Sequence, residues 1–182
     1  MPTIISHAVV GSALGLLKPN DLPFRRLLIV LTLLPVIPDL DVIGFCVGIA
    51  YGDPLGHRGF THSILFAIIA AALVKHFLFK NILFASKTGG SIVALCFLST
   101  MSHGVLDAFT DAGLGVGFFI PFDSSRYFFP WRPIATSPLS ISSFLTGRGL
   151  SILANEAMWI GIPLAVFCSI TLVIKRILQR DA

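Results

Sequence analysis

Six ionisable residues lie in apolar surroundings: His7, Asp39, Asp41, His62, His103 and Asp107. Each costs about 2.5–3.5 kcal/mol to place in hydrocarbon, so such side chains are usually retained for a function. His103 and Asp107 are i and i+4 in SHGVLD and share one helix face. PDLD sets Asp39 and Asp41 two residues apart after a proline break, where the backbone is irregular. HRGFTHS places His57 and His62 around a turn, with Gly59 at the bend and Thr61 suited to cap the helix that follows. Three or four histidines with three carboxylates and no thiolate favour zinc, with manganese or iron as alternatives. The ligand count suits two or more ions better than one. A carboxylate bridging two ions, with a water activated for in-line attack, is a common hydrolytic design. Without a cation, this much charge beside hydrocarbon goes uncompensated.

The elements that must position these groups are membrane segments. Of 182 residues, 55% are hydrophobic and 12% charged, with a mean hydropathy of +0.89. That leaves too few polar groups to coat a water-soluble globule and argues against disorder, a coiled coil or a disulfide scaffold. Five apolar stretches can be drawn: Thr3–Leu17, Leu27 to Ala50, Ser63–Phe79, Ser91 to Leu106, and Ala157–Ile174. A span needs roughly 17–25 apolar residues, so the first is marginal and the last is long enough. Pro35 and Pro38 should kink or break the second, with 42–50 re-entering the membrane or lying along it. At 1.5 Å per residue from the basic flanks, His7 reaches about 16 Å, Asp39 and Asp41 about 18–21 Å, His62 about 20 Å, and His103 and Asp107 about 18–24 Å. Four segments thus bring these groups to nearly one depth.

The 13 cations fall unevenly. Lys18, Arg25, Arg26, Lys75, Lys80, Lys87, Lys175, Arg176 and Arg180 flank spans on one side, which the positive-inside rule makes cytoplasmic. Arg58, Arg126, Arg132 and Arg148 lie on the other. Asp21 and Asp181 fall inside, and the remaining acids, including Asp53, Asp111, Asp123 and Glu156, outside. The segment 108–154, with GVGFFIPF and RYFFPWRP, reads as an aromatic cap resting in the outer interface. Met1–Leu17 lacks a basic n-region and a small-residue cleavage site, and reads as a retained membrane segment. Cys46, Cys96 and Cys168 are far apart in apolar runs and read as small buried hydrophobes.

The motifs MPTIISHA, PDLD, HRGFTHS, SHGVLDAFT, IPFDSSRYFFPWRPI and NEAMWIGIP together resemble the YdjM-type family over nearly the whole chain. Its members are bacterial inner-membrane proteins described as metal-dependent hydrolases and associated by name with the LexA regulon. The family is in turn similar to zinc-dependent phospholipase C and single-strand nucleases, all-helical enzymes with three zinc ions. The resemblance implies ligands in the order His7, Asp39 or Asp41, His62 or His57, then His103 and Asp107, with Glu156 as a late acidic ligand. The chain lacks the N-terminal Trp of the soluble enzymes, and no histidine follows His103, so two ions are carried over rather than three.

The expected protein is an all-α polytopic membrane bundle of about four to five segments with a loop-rich interfacial cap, one integral-membrane domain over 1–182. The expected function is metal-dependent hydrolysis of a phosphoester or similar ester, small-molecule or lipid, at the outer face of the bacterial inner membrane. A carboxylate of Asp39 or Asp41 would act as general base, and Arg58, with Arg126 or Arg132 as alternatives, would hold the anionic group. Membrane lipids are expected partners. Nucleic acid is not, because the cations flank spans. A transporter and a non-catalytic metal-binding module are the rival readings. Against the transporter, the polar set is biased to one half and no repeat is visible.

Overall fold

The computed structural model describes residues 1–19, 22, 24–138 and 141–180. Asp21 and Asp181, expected on the cytoplasmic side, lie outside the described residues. Five long helices are built: α1 Ile4–Leu17, α2 Phe24–Val47, α3 Ile64–Leu78, α4 Lys87–Ala108 and α5 Gly149–Leu178. By length and composition, α2, α4 and α5 are long and apolar enough to cross a membrane, whereas α1 and α3 are shorter apolar helices. No strand forms among the described residues; single bridges pair Thr110 with Ile134 and Val116 with Tyr127. The fold is the helical membrane bundle the composition requires.

α2 is not broken at its prolines. It winds as an α-helix over Phe24–Leu33 and tightens to a 3₁₀ path over Leu34–Val47, ending at Gly48. The expected re-entry over 42–50 is therefore replaced by continuous winding. Three residues per turn align Ile37, Leu40, Ile43 and Cys46 as one exposed stripe. Cys46 is accordingly exposed and Cys168 half-buried; only Cys96 is the small buried hydrophobe expected of all three.

The prolines also prepare acceptors. The Leu31 carbonyl would receive the N–H of residue 35, and the Pro35 carbonyl that of residue 38 in a 3₁₀ turn. Both positions are proline and have no N–H to give. α4 uses both freed carbonyls from residues one turn apart: Ser99 Oγ donates to Leu31 O (2.7 Å) and His103 Nδ1 donates to Pro35 O (2.6 Å). α1 crosses at the same point through Gly11, where an added Cβ would lie 2.2 Å from Leu31 O and 2.6 Å from Pro35 Cγ. Gly11→Ala is expected to push α1 off α2 and α4 and to cost about 1–3 kcal/mol. Thermal unfolding in detergent checks this, and an unchanged midpoint would contradict the close crossing.

Away from these polar crossings, Leu27, Leu31 and Leu34 of α2 pack with Ala71 of α3 and Ile92 and Cys96 of α4 in the buried core. α5 extends further toward the N-terminus than the expected 157–174; Gly149, Ile152, Glu156 and Ile160 are buried, whereas the stretch Ile162–Leu178 has no buried residue. Residues 109–138 form the loop-rich cap. Its rings pack on one another and on α5: Phe109 stacks on Phe129 (centroids 4.2 Å), and Trp131 meets Trp159 of α5 edge-on (4.9 Å). At its rim, hydrogen bonds from Ser125 and Tyr127 hold the Asp123 carboxyl below the usual carboxylate range.

Candidate metal centre

α4 carries His103 and Asp107 on its inner face, both fully buried. The 3₁₀ half of α2 brings Asp39 against them, and the turn Phe60–His62 supplies His62 just before α3. Thr61 does not cap that helix, as the sequence suggests; Ser63 does, accepting from Phe66 N (3.1 Å). Thr61 Oγ1 instead donates to Asp41 Oδ2 (2.7 Å). At the bend, the left-handed residue is Arg58 (φ 62°) rather than Gly59. Gly59 is required by close approach, since a Cβ there would lie 2.3 Å from Pro54 O.

Asp39, His62, His103 and Asp107 converge. His62 Nε2 lies 2.9 Å from His103 Nε2, 3.6 Å from Asp107 Oδ2 and 3.8 Å from Asp39 Oδ1. His103 Nε2 lies 3.3 Å from Asp39 Oδ1 and 3.8 Å from Asp107 Oδ2. Ligands of a tetrahedral ion with bonds of about 2.0–2.1 Å stand about 3.3–3.4 Å apart, close to these edges.

The ring tautomers follow from the outer partners. His103 Nδ1 faces a carbonyl, which only accepts, so a neutral His103 presents its Nε2 lone pair inward. His62 Nδ1 faces Asp41 Oδ2 (3.3 Å) and Thr61 Oγ1 (3.0 Å), and the same assignment aims its Nε2 lone pair inward. Two lone pairs then oppose each other beside two carboxylates. Both oxygens of Asp39 and of Asp107 are buried without a hydrogen-bond partner. The Arg58 guanidinium, its Nε 3.0 Å from Asp107 Oδ2, offsets one of the two negative charges, and a divalent cation among the four acceptors would offset the rest. The residues therefore fit a divalent ion, and the carbonyl and carboxylate behind the two rings are the outer partners that metal-binding histidines use.

His7 is close by. Its ring stacks on His103 (centroids 3.8 Å, 19°), and its Nε2 lies 3.6 Å from Asp107 Oδ1. Neither of its nitrogens has a hydrogen-bond partner. Asp107 thus turns one oxygen to the four-residue cluster and the other to His7.

Asp41, His57 and His62 form a second close group. Asp41 is already satisfied by donors: Oδ1 accepts from His57 Nδ1 (2.7 Å), and Oδ2 accepts from Thr61 Oγ1 and Arg58 N (3.2 Å). It orients the two histidines and is not the free carboxylate that a general base requires. Burial pushes the neighbouring Tyr51 phenol up, with its ring edge-on to His57 (5.1 Å).

Arg58 is neither a solvated loop charge nor open to an anionic ligand. It is 1% exposed, with Nε 3.0 Å from Asp107 Oδ2. Its Nη1 donates to Ala112 O (3.0 Å) and its Nη2 to Thr110 Oγ1 (3.1 Å), while Thr110 Oγ1 donates to Asp107 O (2.7 Å). Arg126 is likewise committed, donating to the carbonyls of His57, Tyr51 and Asp53. Arg132 lies over the Phe128 ring (4.6 Å). Thr110 is not singled out by the sequence, and Pro35 is read there only as a kink or break, not as the source of the carbonyl that orients His103.

Glu156 is not brought to the cluster. Its Oε1 accepts from Thr3 N (2.6 Å), and its Oε2 from Thr3 Oγ1 and Ser6 Oγ (both 2.6 Å). A buried carboxylate with three donors is satisfied at the start of α1, where the helix dipole also favours negative charge. Glu156→Ala should cost about 1–3 kcal/mol by leaving these donors unpaired. Metal content should be unchanged, and metal analysis of the variant checks this; a loss of metal would return Glu156 to the ligand set.

The family model described as "YdjM inner membrane protein" matches residues 1–181. The chain is 38% identical over 165 residues to "Inner membrane protein YbcI" of Escherichia coli (strain K12), covering 90% of this chain and 92% of the relative. No solved structure matches. The match over almost the whole length shows that the chain belongs to the YdjM inner membrane protein family.

Proposed function

We propose that the protein is a membrane-embedded metal-dependent hydrolase acting on a phosphoester or similar ester. The observation that supports this best is the approach of two imidazole Nε2 atoms to 2.9 Å beside two buried carboxylates, of which only Asp107 has a cationic partner, Arg58. Asp39, His62, His103 and Asp107 would hold one divalent ion, with zinc favoured by an all-nitrogen-and-oxygen ligand set. His7 and Asp107 Oδ1 would hold a second, making Asp107 the bridge. Bound there, the ions supply Lewis-acid polarisation of the ester and a nucleophilic water at neutral pH. Asp41 orients His57 and His62 through its hydrogen bonds. Arg58 neutralises Asp107 and fixes its two oxygens toward the two sets of histidines.

The site faces the periplasm in this reading, because the cation-rich connections lie at the opposite end. Single cysteines at exposed position 55 and at position 88 in a cysteine-free background report the two ends. Labelling of 55 but not 88 by an impermeant reagent is expected; the reverse pattern would overturn the orientation.

Turnover is tested on phosphomonoesters, phosphodiesters and phospholipids with and without chelator. Chelator-sensitive hydrolysis lost in Asp39→Ala supports the enzyme. No such turnover on any class favours a second reading, a structural metal site, which the burial of His62, His103 and Asp107 also suits.

A further inference from the structure

The end of the bundle remote from the metal centre has a feature that the hydrolase reading does not use. Between α3 and α4 runs an apolar groove of 490 Å³, lined by Ile68, Ala71, Phe84, Gly90, Ala94 and Phe97. Its floor is made by small residues. A Cβ built on Gly90 meets nothing within 4 Å, so this stretch of α4 is open to an occupant. Phe84 is also a wall of a second hollow of 460 Å³, lined by Lys75, His76, Lys80 and the turn Ile82–Phe84. The shared ring makes groove and basin neighbours.

The basin is cationic. Lys75 is 1% exposed; its Nζ donates to the carbonyls of Phe79 and Ile82 and lies 4.2 Å from the Phe84 centroid. Those partners fix the ammonium without cancelling its charge. Lys80 and His76 are exposed at the rim, and the connecting segment 79–86 contains no acid. A positive rim opening onto an apolar slot matches an amphiphile with a negative head and a long tail, and both hollows are of ordinary ligand-site size.

We propose that groove and basin form a binding site for one anionic phospholipid, with an acyl chain along α3 and α4 and the headgroup phosphate at Lys80 and His76. Exposed Phe77 and Leu83 flank the head position, and apolar side chains beside a basic rim suit a lipid better than free phosphate. A lysine near a lipid surface typically supplies enough attraction that its removal weakens anionic-lipid retention about fivefold.

Native mass spectrometry of the full chain, loaded with phosphatidylglycerol or phosphatidylcholine in mixed micelles, tests this. Wild type is expected to retain one phosphatidylglycerol in preference to phosphatidylcholine. Lys80→Ala should lose about fivefold of that preference. Gly90→Leu should fill the groove and reduce retention of both lipids. Lys80 is exposed and remote from the metal ligands, so its variant should keep the wild-type unfolding midpoint and metal content. Equal retention of the two lipids, retention unaffected by both variants, or a dimer in place of a lipid adduct would each overturn the proposal.

Discussion

Replacing Asp107 with asparagine is expected to empty the metal centre and to destabilise the protein by about 3–5 kcal/mol. The first effect arises because Asp107 contributes to both halves of the site. Its Oδ2 lies 3.6 Å from His62 Nε2 and its Oδ1 lies 3.6 Å from His7 Nε2. The second arises because the substitution leaves the Arg58 guanidinium buried without its counter-charge, 3.0 Å from a neutral amide. Asparagine keeps the shape of aspartate, so packing is not the cause. Combining Asp107→Asn with Arg58→Met separates the two effects. The double variant should recover part of the lost stability, since the orphaned charge is gone, but none of the metal. Metal analysis and thermal unfolding read both. Stoichiometric metal in Asp107→Asn would refute its role as bridge.

Metal removal is expected to have the next largest effect. A ligand present at 1,000 times its dissociation constant stabilises the folded state by about 4 kcal/mol, so chelation should lower the unfolding midpoint by that equivalent. Without the ion, His62 and His103 must share a proton across the 2.9 Å between their Nε2 atoms, Asp39 loses the cation beside it, and Asp107 keeps only Arg58. Re-addition of zinc should restore the midpoint. His7→Ala should retain the ion of the four-residue cluster and lose the second, giving half the wild-type metal. Measurement of metal per chain beside each melt decides this. A midpoint indifferent to chelator, in protein shown to contain metal, would contradict a centre that compensates buried charge.

The depth argument found the site because a helix rises by a fixed amount per residue. Counting from basic flanks brought His7, Asp39, His62, His103 and Asp107 to one level, and these are the residues that converge. What the sequence could not show was the set of partners supplied by distant segments. Arg58 looks like a loop cation because nothing within its own turn pairs with it; Thr110 and Ala112, more than fifty positions on, bury it. Glu156 looks like a late ligand because its donors, Thr3 and Ser6, come from the other end of the chain. Thr61 looks like the α3 cap, but Asp41 claims its hydroxyl and Ser63 caps the helix instead. Pro35 and Pro38 were read as a break. Their missing N–H groups instead leave carbonyls that α4 takes up, so the segment stays wound and Asp39 stays in place.

X-ray absorption at the metal edge of the purified protein tests the central claim most directly. The account predicts only nitrogen and oxygen neighbours at about 2.0–2.1 Å, with three imidazoles shared between the two ions and no sulfur shell. Protein that binds no divalent ion after zinc loading, or an ion with a sulfur neighbour near 2.3 Å, would contradict it.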